Sequence, residues 1–281
     1  MNTRSVLNLV LLAGVVALGV FISTTPEKDS DKPVTRLGGI DLPDVNRISI
    51  SREGLAYIRL HKQSDGKWRM LEPHTIAANE AAINKLLELP GALSHAQFSA
   101  QGRNLGDYGL APEKASLELN GKRYLFGDIE HINKRRYIML DQAIHLTTDL
   151  YYHQLRTAAE HFVSGRLVEP AMSITALEIP GLTLNQTAQG DWAASGQQSK
   201  QDYRADAVTS LLNHWQHKQV TLVDVTSPHE SSDMARITFA DNSVIEYAII
   251  KTATELLMVR NDLGLQYHIP IAQAPQLLEL N

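Results

Sequence analysis

The chain opens on an apolar run and then changes character. Val6 to Ile22 reads VLNLVLLAGVVALGVFI with Asn8 the one polar interruption, and no charged residue lies between Arg4 and Glu27. As a helix this run spans ~26 Å at about 1.5 Å per residue, slightly short of the ~30 Å hydrocarbon core of a bilayer. Arg4 precedes it and a mixed-charge segment follows. The pattern predicts a single-pass signal anchor over residues 1–26, the N-terminus cytoplasmic and the body exported. The competing reading is a cleaved signal peptide; Ala17-Leu18-Gly19 is an acceptable small-x-small site, but Val20, Phe21 and Ile22 continue the apolar run past it. Residues 24–43 hold three prolines and the pair Gly38-Gly39. Residues 27–43 therefore read as a tether.

Beyond the tether, short runs of period two alternate with two helical patterns. Ile48-Ser49-Ile50 and Tyr57-Ile58-Arg59-Leu60 predict strands, and Ser64-Asp65-Gly66-Lys67 a turn before Trp68. Asn79 to Leu89 predicts a helix with Ile83, Leu86 and Leu87 on one face, Asn79 as its cap and Pro90-Gly91 as its stop. Leu93 to Glu113 reads as a long connection. Asn120-Gly121 between Leu117–Leu119 and Arg123–Phe126 is a strong hairpin signal. Tyr137–Leu140 and Ile144–Leu146 make another strand pair, with a helix expected from about Thr148 to Phe162.

The second half repeats this order. Ile174–Ile179 and Leu182–Thr187 are predicted strands, and Gly190-Asp191-Trp192 matches Gly66-Lys67-Trp68 at an offset of 124. In a helix over Ala205–His217, Val208, Leu211 and Leu212 match Ile83, Leu86 and Leu87 at an offset of 125. Ile237-Thr238-Phe239 matches Leu117-Glu118-Leu119 at 120, and a short helix over Ile271–Leu280 closes the chain. The expected fold is α+β: two tandem copies of an antiparallel-sheet-rich unit, residues 44–168 and 169–281, each with a helix packed on its sheet.

Composition narrows the function classes. The 281 residues carry a net charge of −5 and no cysteine, which excludes disulfides, thiolate metal sites and a lipoprotein anchor. Without Arg4 the exported part holds 25 basic against 31 acidic side chains, a net −6. An acidic body argues against nucleic-acid binding.

The first copy carries a series that identifies a family: Trp68, the helix Ile83-Asn84-Lys85-Leu86-Leu87, Asp107-Tyr108-Gly109-Leu110 with Pro112 behind it, Phe126-Gly127-Asp128, and Arg136-Tyr137-Ile138. It resembles the bacterial domain of unknown function numbered 4340. The resemblance covers about Val45–Arg166 well and the rest weakly. It implies an N-terminal anchor and a duplicated β-rich unit. Because some relatives are encoded beside gliding-motility-type ABC transporter components, it also implies an accessory role. Trp68, Tyr108, Gly109, Leu110, Gly127, Tyr137 and, by internal equivalence, Trp192 are expected as structural positions. A departure lies at Val163-Ser164-Gly165-Arg166-Leu167, where relatives tend to carry a charged Arg-Asp-type segment, so no inter-copy contact is expected from such charges.

Candidate chemistry is sparse. His214 and His217 at i,i+3 can share a helix face, but a metal needs further ligands, and none stands at a recognisable spacing. Glu160-His161 and Asp128 with Glu130-His131 are nominal acid–base pairs, and neighbours on a helix diverge. No G-x-S-x-G, H-E-x-x-H or phosphate-cradling loop occurs. Lys122, Arg123, Lys134, Arg135 and Arg136 fall on two neighbouring hairpins as a possible interaction surface, the alternative being solvated edge charges. The expectation is a non-catalytic accessory protein of the inner membrane with a periplasmic body, without cofactor or metal. It would act through inner-membrane or periplasmic protein partners, in an ABC-transporter or motility-type envelope system. The alternative is a binding module for a glycan, lipid or peptide in the cleft between the copies.

Overall fold

The computed structural model describes residues 35–197 and 205–280. The anchor expected over residues 1–26 and the start of the tether lie outside the described residues. Among those described, no helix is long and apolar enough to cross a membrane. The polypeptide forms two antiparallel sheets and, among the described residues, four α-helices.

The first sheet is built from β1 (Thr35–Arg36), β2 (Arg47–Arg52), β3 (Ile58–Lys62), β4 (Trp68–Glu72), β5 (Ile76–Ala77), β6 (Leu93–Ser99), β7 (Ala115–Leu119), β8 (Lys122–Ile129), β9 (Arg135–Leu140) and β10 (Ala143–Thr148). Their spatial order is β1-β6-β10-β9-β8-β7-β2-β3-β4-β5. The second sheet contains β11 (Ile174–Ile179), β12 (Leu182–Gln186), β13 (Trp192–Ser195), β14 (Val223–Val225), β15 (Met234–Phe239), β16 (Val244–Lys251), β17 (Glu255–Arg260) and β18 (Leu265–Pro270). Its order is β13-β12-β11-β15-β16-β17-β18-β14. Read from β14, that is the order of β6-β10-β9-β8-β7-β2-β3-β4 in the first sheet.

Alternation explains which faces meet. Ile48, Ile50, Ile58 and Leu60 of β2 and β3 are fully buried, as are Leu256, Met258, Leu265 and Ile269 of β17 and β18. Each such side chain stabilises the fold by about 1.5–3 kcal/mol. Helix α1 (Glu80–Leu87) begins at Asn79, whose side chain accepts from the N–H groups of Ala81 and Ala82, and it buries Ala82, Ile83 and Leu86. Helix α3 (Ala205–His217) buries Val208, Leu211 and Trp215. Leu212, expected inside, only packs at the margin. Trp215 takes the inner position because its indole N–H finds the Leu277 carbonyl at 2.9 Å.

Three sequence expectations are corrected. Leu93–Glu113 is not a free connection: it contains β6, in which only Ser94 is buried, so no apolar alternation marks the strand. The helix expected from Thr148 to Phe162 is two short pieces, α2 (Tyr152–Leu155) and a 3-10 turn at Ala159–Phe162, separated by extended Ala158. The buried Arg52 guanidinium ends α2 by donating to the Leu155 and Thr157 carbonyls, each at 2.9 Å. The end of the expected tether is folded: Leu37 is buried, and its N–H donates to Ala92.

The segment joining the sheets is stitched to both. Ser164 N–H donates to Ala77 at 2.9 Å and Asn79 N–H to Phe162 at 2.8 Å on the first side. On the second side Val220 N–H donates to Gly165 at 2.8 Å and Leu167 N–H to Lys218 at 3.2 Å. Leu167 and Val168, at the expected boundary between copies, are buried, and the Tyr247 hydroxyl donates to the Leu167 carbonyl at 2.7 Å. Burial pushes that phenol up to about 12. One hydrophobic cluster runs through both sheets. One ion pair also crosses the junction: Arg69 of β4 meets Glu169 at 3.2 Å, outside the Val163–Leu167 segment.

Candidate functional site

The Tyr-Gly-Leu segment is a docked turn. A 3-10 turn at Leu105–Tyr108 is capped by Asn104, whose side chain accepts from Gly106 N–H at 3.1 Å and donates to Asp107 at 2.9 Å. Gly109 follows with φ +63° and Leu110 is buried. The turn lies flat on Gly127-Asp128 of β8: a Cβ on Gly127 would overlap the Tyr108 carbonyl, and one on Gly109 would overlap the Asp128 carboxylate. The Tyr108 ring meets Tyr137 edge-on at 5.0 Å and Phe98 at 5.7 Å. Tyr108, Gly109, Leu110, Gly127 and Tyr137 are thus one packing unit. Trp68 and Trp192 stand apart from it, each opening its strand, β4 and β13; Trp68 is buried and Trp192 half-buried.

Beside that unit an open cleft of about 940 Å³ is lined by Lys114, Asp128, Glu130, His131, Ile132, Lys134, Arg136, Tyr137 and Tyr152, among others. Most of its charges are engaged. Lys114 meets Asp128 at 2.6 Å, which raises the pKa of the amine. Arg136, 5% exposed, binds Asp149 through two nitrogens at 2.6 and 2.8 Å and lies over the Tyr152 ring at 3.6 Å. Glu130 accepts from the N–H groups of Asn133 and Ile132, and these bonds hold its carboxyl below the usual range. Asp128 and Glu130 are thus each held by partners other than His131.

The expected five-residue basic surface is divided. Lys122 and Arg123 sit at the start of β8, and Lys134, Arg135 and Arg136 at the start of its antiparallel neighbour β9. With Tyr124 opposite Leu140 and Ile129 opposite Arg136, the two groups fall at opposite ends of the strand pair. That separation is about 24 Å for seven steps of ~3.4 Å. Lys122 pairs with Asp141 at 2.8 Å and Arg123 with Glu113 at 3.2 Å. Sequence proximity of two hairpins did not translate into one patch because consecutive turns of a meander alternate ends.

A second cleft, about 420 Å³, lies between the sheets and is lined by Asn79, Glu160, His161, Gly165, Leu222 and Asp224 among others. Glu160 turns away from His161 and meets His74 at 3.5 Å, both largely buried. His161 stacks edge-on against Phe162, and burial, then His153, lowers its pKa. His268 lies between Asp224 at 3.4 Å and Glu255 at 3.1 Å. His217 bonds the Asn213 carbonyl of its own helix at 3.0 Å. Among the described residues no group of three or more His, Cys, Asp or Glu is placed to hold a metal.

Sequence reasoning missed Arg52, the His74–Glu160 pair and His268 with its two carboxylates. These partners lie far apart along the chain or on separate strands, and no local pattern marks them. The Arg136–Asp149 pair was within reach: a hairpin centred on Asp141-Gln142 sets Arg136 opposite Thr147, two residues from Asp149.

One family model, described as a domain of unknown function (DUF4340), matches residues 68–235, from β4 to the beginning of β15. No curated protein and no solved structure matches the chain.

Proposed function

The chain belongs to the DUF4340 family of domains of unknown function, and from that premise we propose that it is a non-catalytic accessory protein acting through contacts with other proteins. The carrying observation is how the clefts are finished. Most of their charges are spent on internal pairs, Lys114 with Asp128, Arg136 with Asp149 and Glu160 with His74. Apolar side chains meanwhile face solvent at the cleft rims, Ile132 at 86% and Leu222 at 45%. Such a surface suits being covered by a partner.

On this reading residues 1–26 anchor the chain in the inner membrane of a bacterial envelope and the body is periplasmic. The family resemblance directs it to an ABC-transporter or motility-type assembly. The two sheets are tandem copies. Their common strand order supports this, and so do their matching turns: Gln63 N–H donates to Lys67 and Gly66 N–H to Gln63, as Thr187 N–H donates to Asp191 and Gly190 N–H to Thr187, all at an offset of 124.

The test is purification of the tagged full chain in mild detergent. Recovery of a stoichiometric membrane subunit is the expected outcome; a chain that elutes alone under conditions that preserve known envelope complexes contradicts it. N-terminal sequencing that begins near Val20 removes the anchor. A second reading, ligand capture between the sheets, draws on the size of that cleft, which lies in the ~300–1,000 Å³ range of small-molecule sites.

A further inference from the structure

Strand β14 ends the second sheet and, among the described residues, pairs only with β18, with the 3-10 turn at Ala159–Phe162 packing beside it. His268 N–H donates to Leu222 and Thr226 N–H to Gly264, in register with Asp224 opposite Gln266. The backbone groups of Leu222, Asp224 and Thr226 therefore face β18. Those of Val223 and Val225 point off the edge. This edge borders the cleft between the sheets, and Leu222 and Val225 beside it are 45% and 62% exposed. The cleft lining holds two carboxylates, Glu160 and Asp224, and no lysine or arginine.

The first sheet shows how an extended segment meets the start of the equivalent edge. There the extended segment Thr35–Leu37 lies along the start of β6, Thr35 opposite Ser94 and Arg36 opposite Leu93. Leu37 enters the core, and the Arg36 guanidinium donates to the Gly91 carbonyl at 2.8 Å. In the second sheet, residues 165–167 take the matching place against 218–220, but Ser164 then leaves for Ala77. In both sheets, then, the covering segment meets the chain at the start of the edge strand, and among the described residues nothing pairs with the outer side of Val223–Val225.

We propose that β14 is a docking edge for an extended segment of a partner protein. The segment adds a strand to Val223–Val225, places one apolar side chain against Val225 on one face and another against Leu222 on the opposite face, and directs a lysine or arginine to Asp224, half-exposed beside His268. Main-chain hydrogen bonds supply affinity and the flanking side chains supply specificity, as in other strand-addition interfaces. This rests on the protein-contact reading and names the surface through which it acts.

The experiment uses the full chain in its native membrane, with benzoylphenylalanine in place of Leu222 and, as a control on the opposite sheet edge, in place of Ser195. Adducts are mapped by mass spectrometry, alone and combined with Val225→Pro. The Val225 N–H is not used by β18, so proline removes an outward donor at an edge, where it is tolerated. Val225→Lys keeps that donor and instead repels a basic partner, and circular dichroism confirms that each variant folds. The expected result is an adduct at position 222 on an extended segment with apolar residues on both faces and a lysine or arginine, lost in both Val225 variants and absent from position 195. An adduct on a second copy of this chain or on lipid, or one that survives both Val225 variants, overturns the proposal. Absence of an adduct while the chain still co-purifies with a membrane protein overturns the docking edge and spares the contact reading. Absence of both overturns the two together.

Discussion

Gly127 has no space for a side chain because the Tyr108 carbonyl occupies the position a Cβ would take. Gly127→Ala must displace the whole Tyr-Gly-Leu turn, an overpacking cost of about 1–3 kcal/mol. Chemical denaturation measures it, and an unchanged midpoint would mean that the turn yields freely. His145 makes a pH prediction. It is 4% exposed, bonded to Ser94 at 3.0 Å, and burial lowers its pKa. The unfolded chain therefore binds a proton at higher pH than the folded one. The stability that neutral His145 contributes is full above the ordinary imidazole value of about 6.5 and is lost as pH falls through the folded value. Wild type should lose more stability than His145→Gln between pH 7.5 and pH 5 in urea titrations; parallel losses would refute this. The motif positions Tyr108, Gly109 and Gly127 were legible as residue types that turns and close approaches need. That they touch one another was not, since β7 intervenes in the chain.

Elements whose signals are local matched their predictions closely. Asn79 caps α1 as its place before the apolar stripe implied, and it adds a bond to the His161 carbonyl at 3.0 Å. Asn79→Ala should cost about 0.5–2 kcal/mol, read by thermal unfolding. A loss at the upper end would mark the added tie to His161; no loss would mean that water replaces both contacts. Helix α3 spans the residues its periodicity indicated. Strands β6 and β14 escaped notice because a strand at or next to a sheet edge buries little, and burial is what writes alternation into a sequence. The broken helix before the junction was equally hidden. Its apolar residues keep a helical rhythm, but Arg52, about a hundred positions earlier, takes the carbonyls that would have continued the ladder.

The whole molecule behaves as one body because a continuous core and a stitched segment join its sheets. At the junction, Gly165 lies so close to the Val220 carbonyl that a Cβ would overlap it. Wild type should unfold in one calorimetric transition. Gly165→Val should lower the midpoint and split the transition as the sheets uncouple. Two transitions already present in wild type would show that the junction does not couple them. The amino-acid sequence by itself determined the strand-rich class, the helices with strong periodicity, the hairpin turns and the family, all carried by residues near one another in the chain. Tertiary structure alone decided where the cations fall, which carboxylate each meets, how the sheets join and which edge stays open. Those outcomes depend on through-space packing and hydrogen-bond partners separated by many residues, for which a local pattern holds no record.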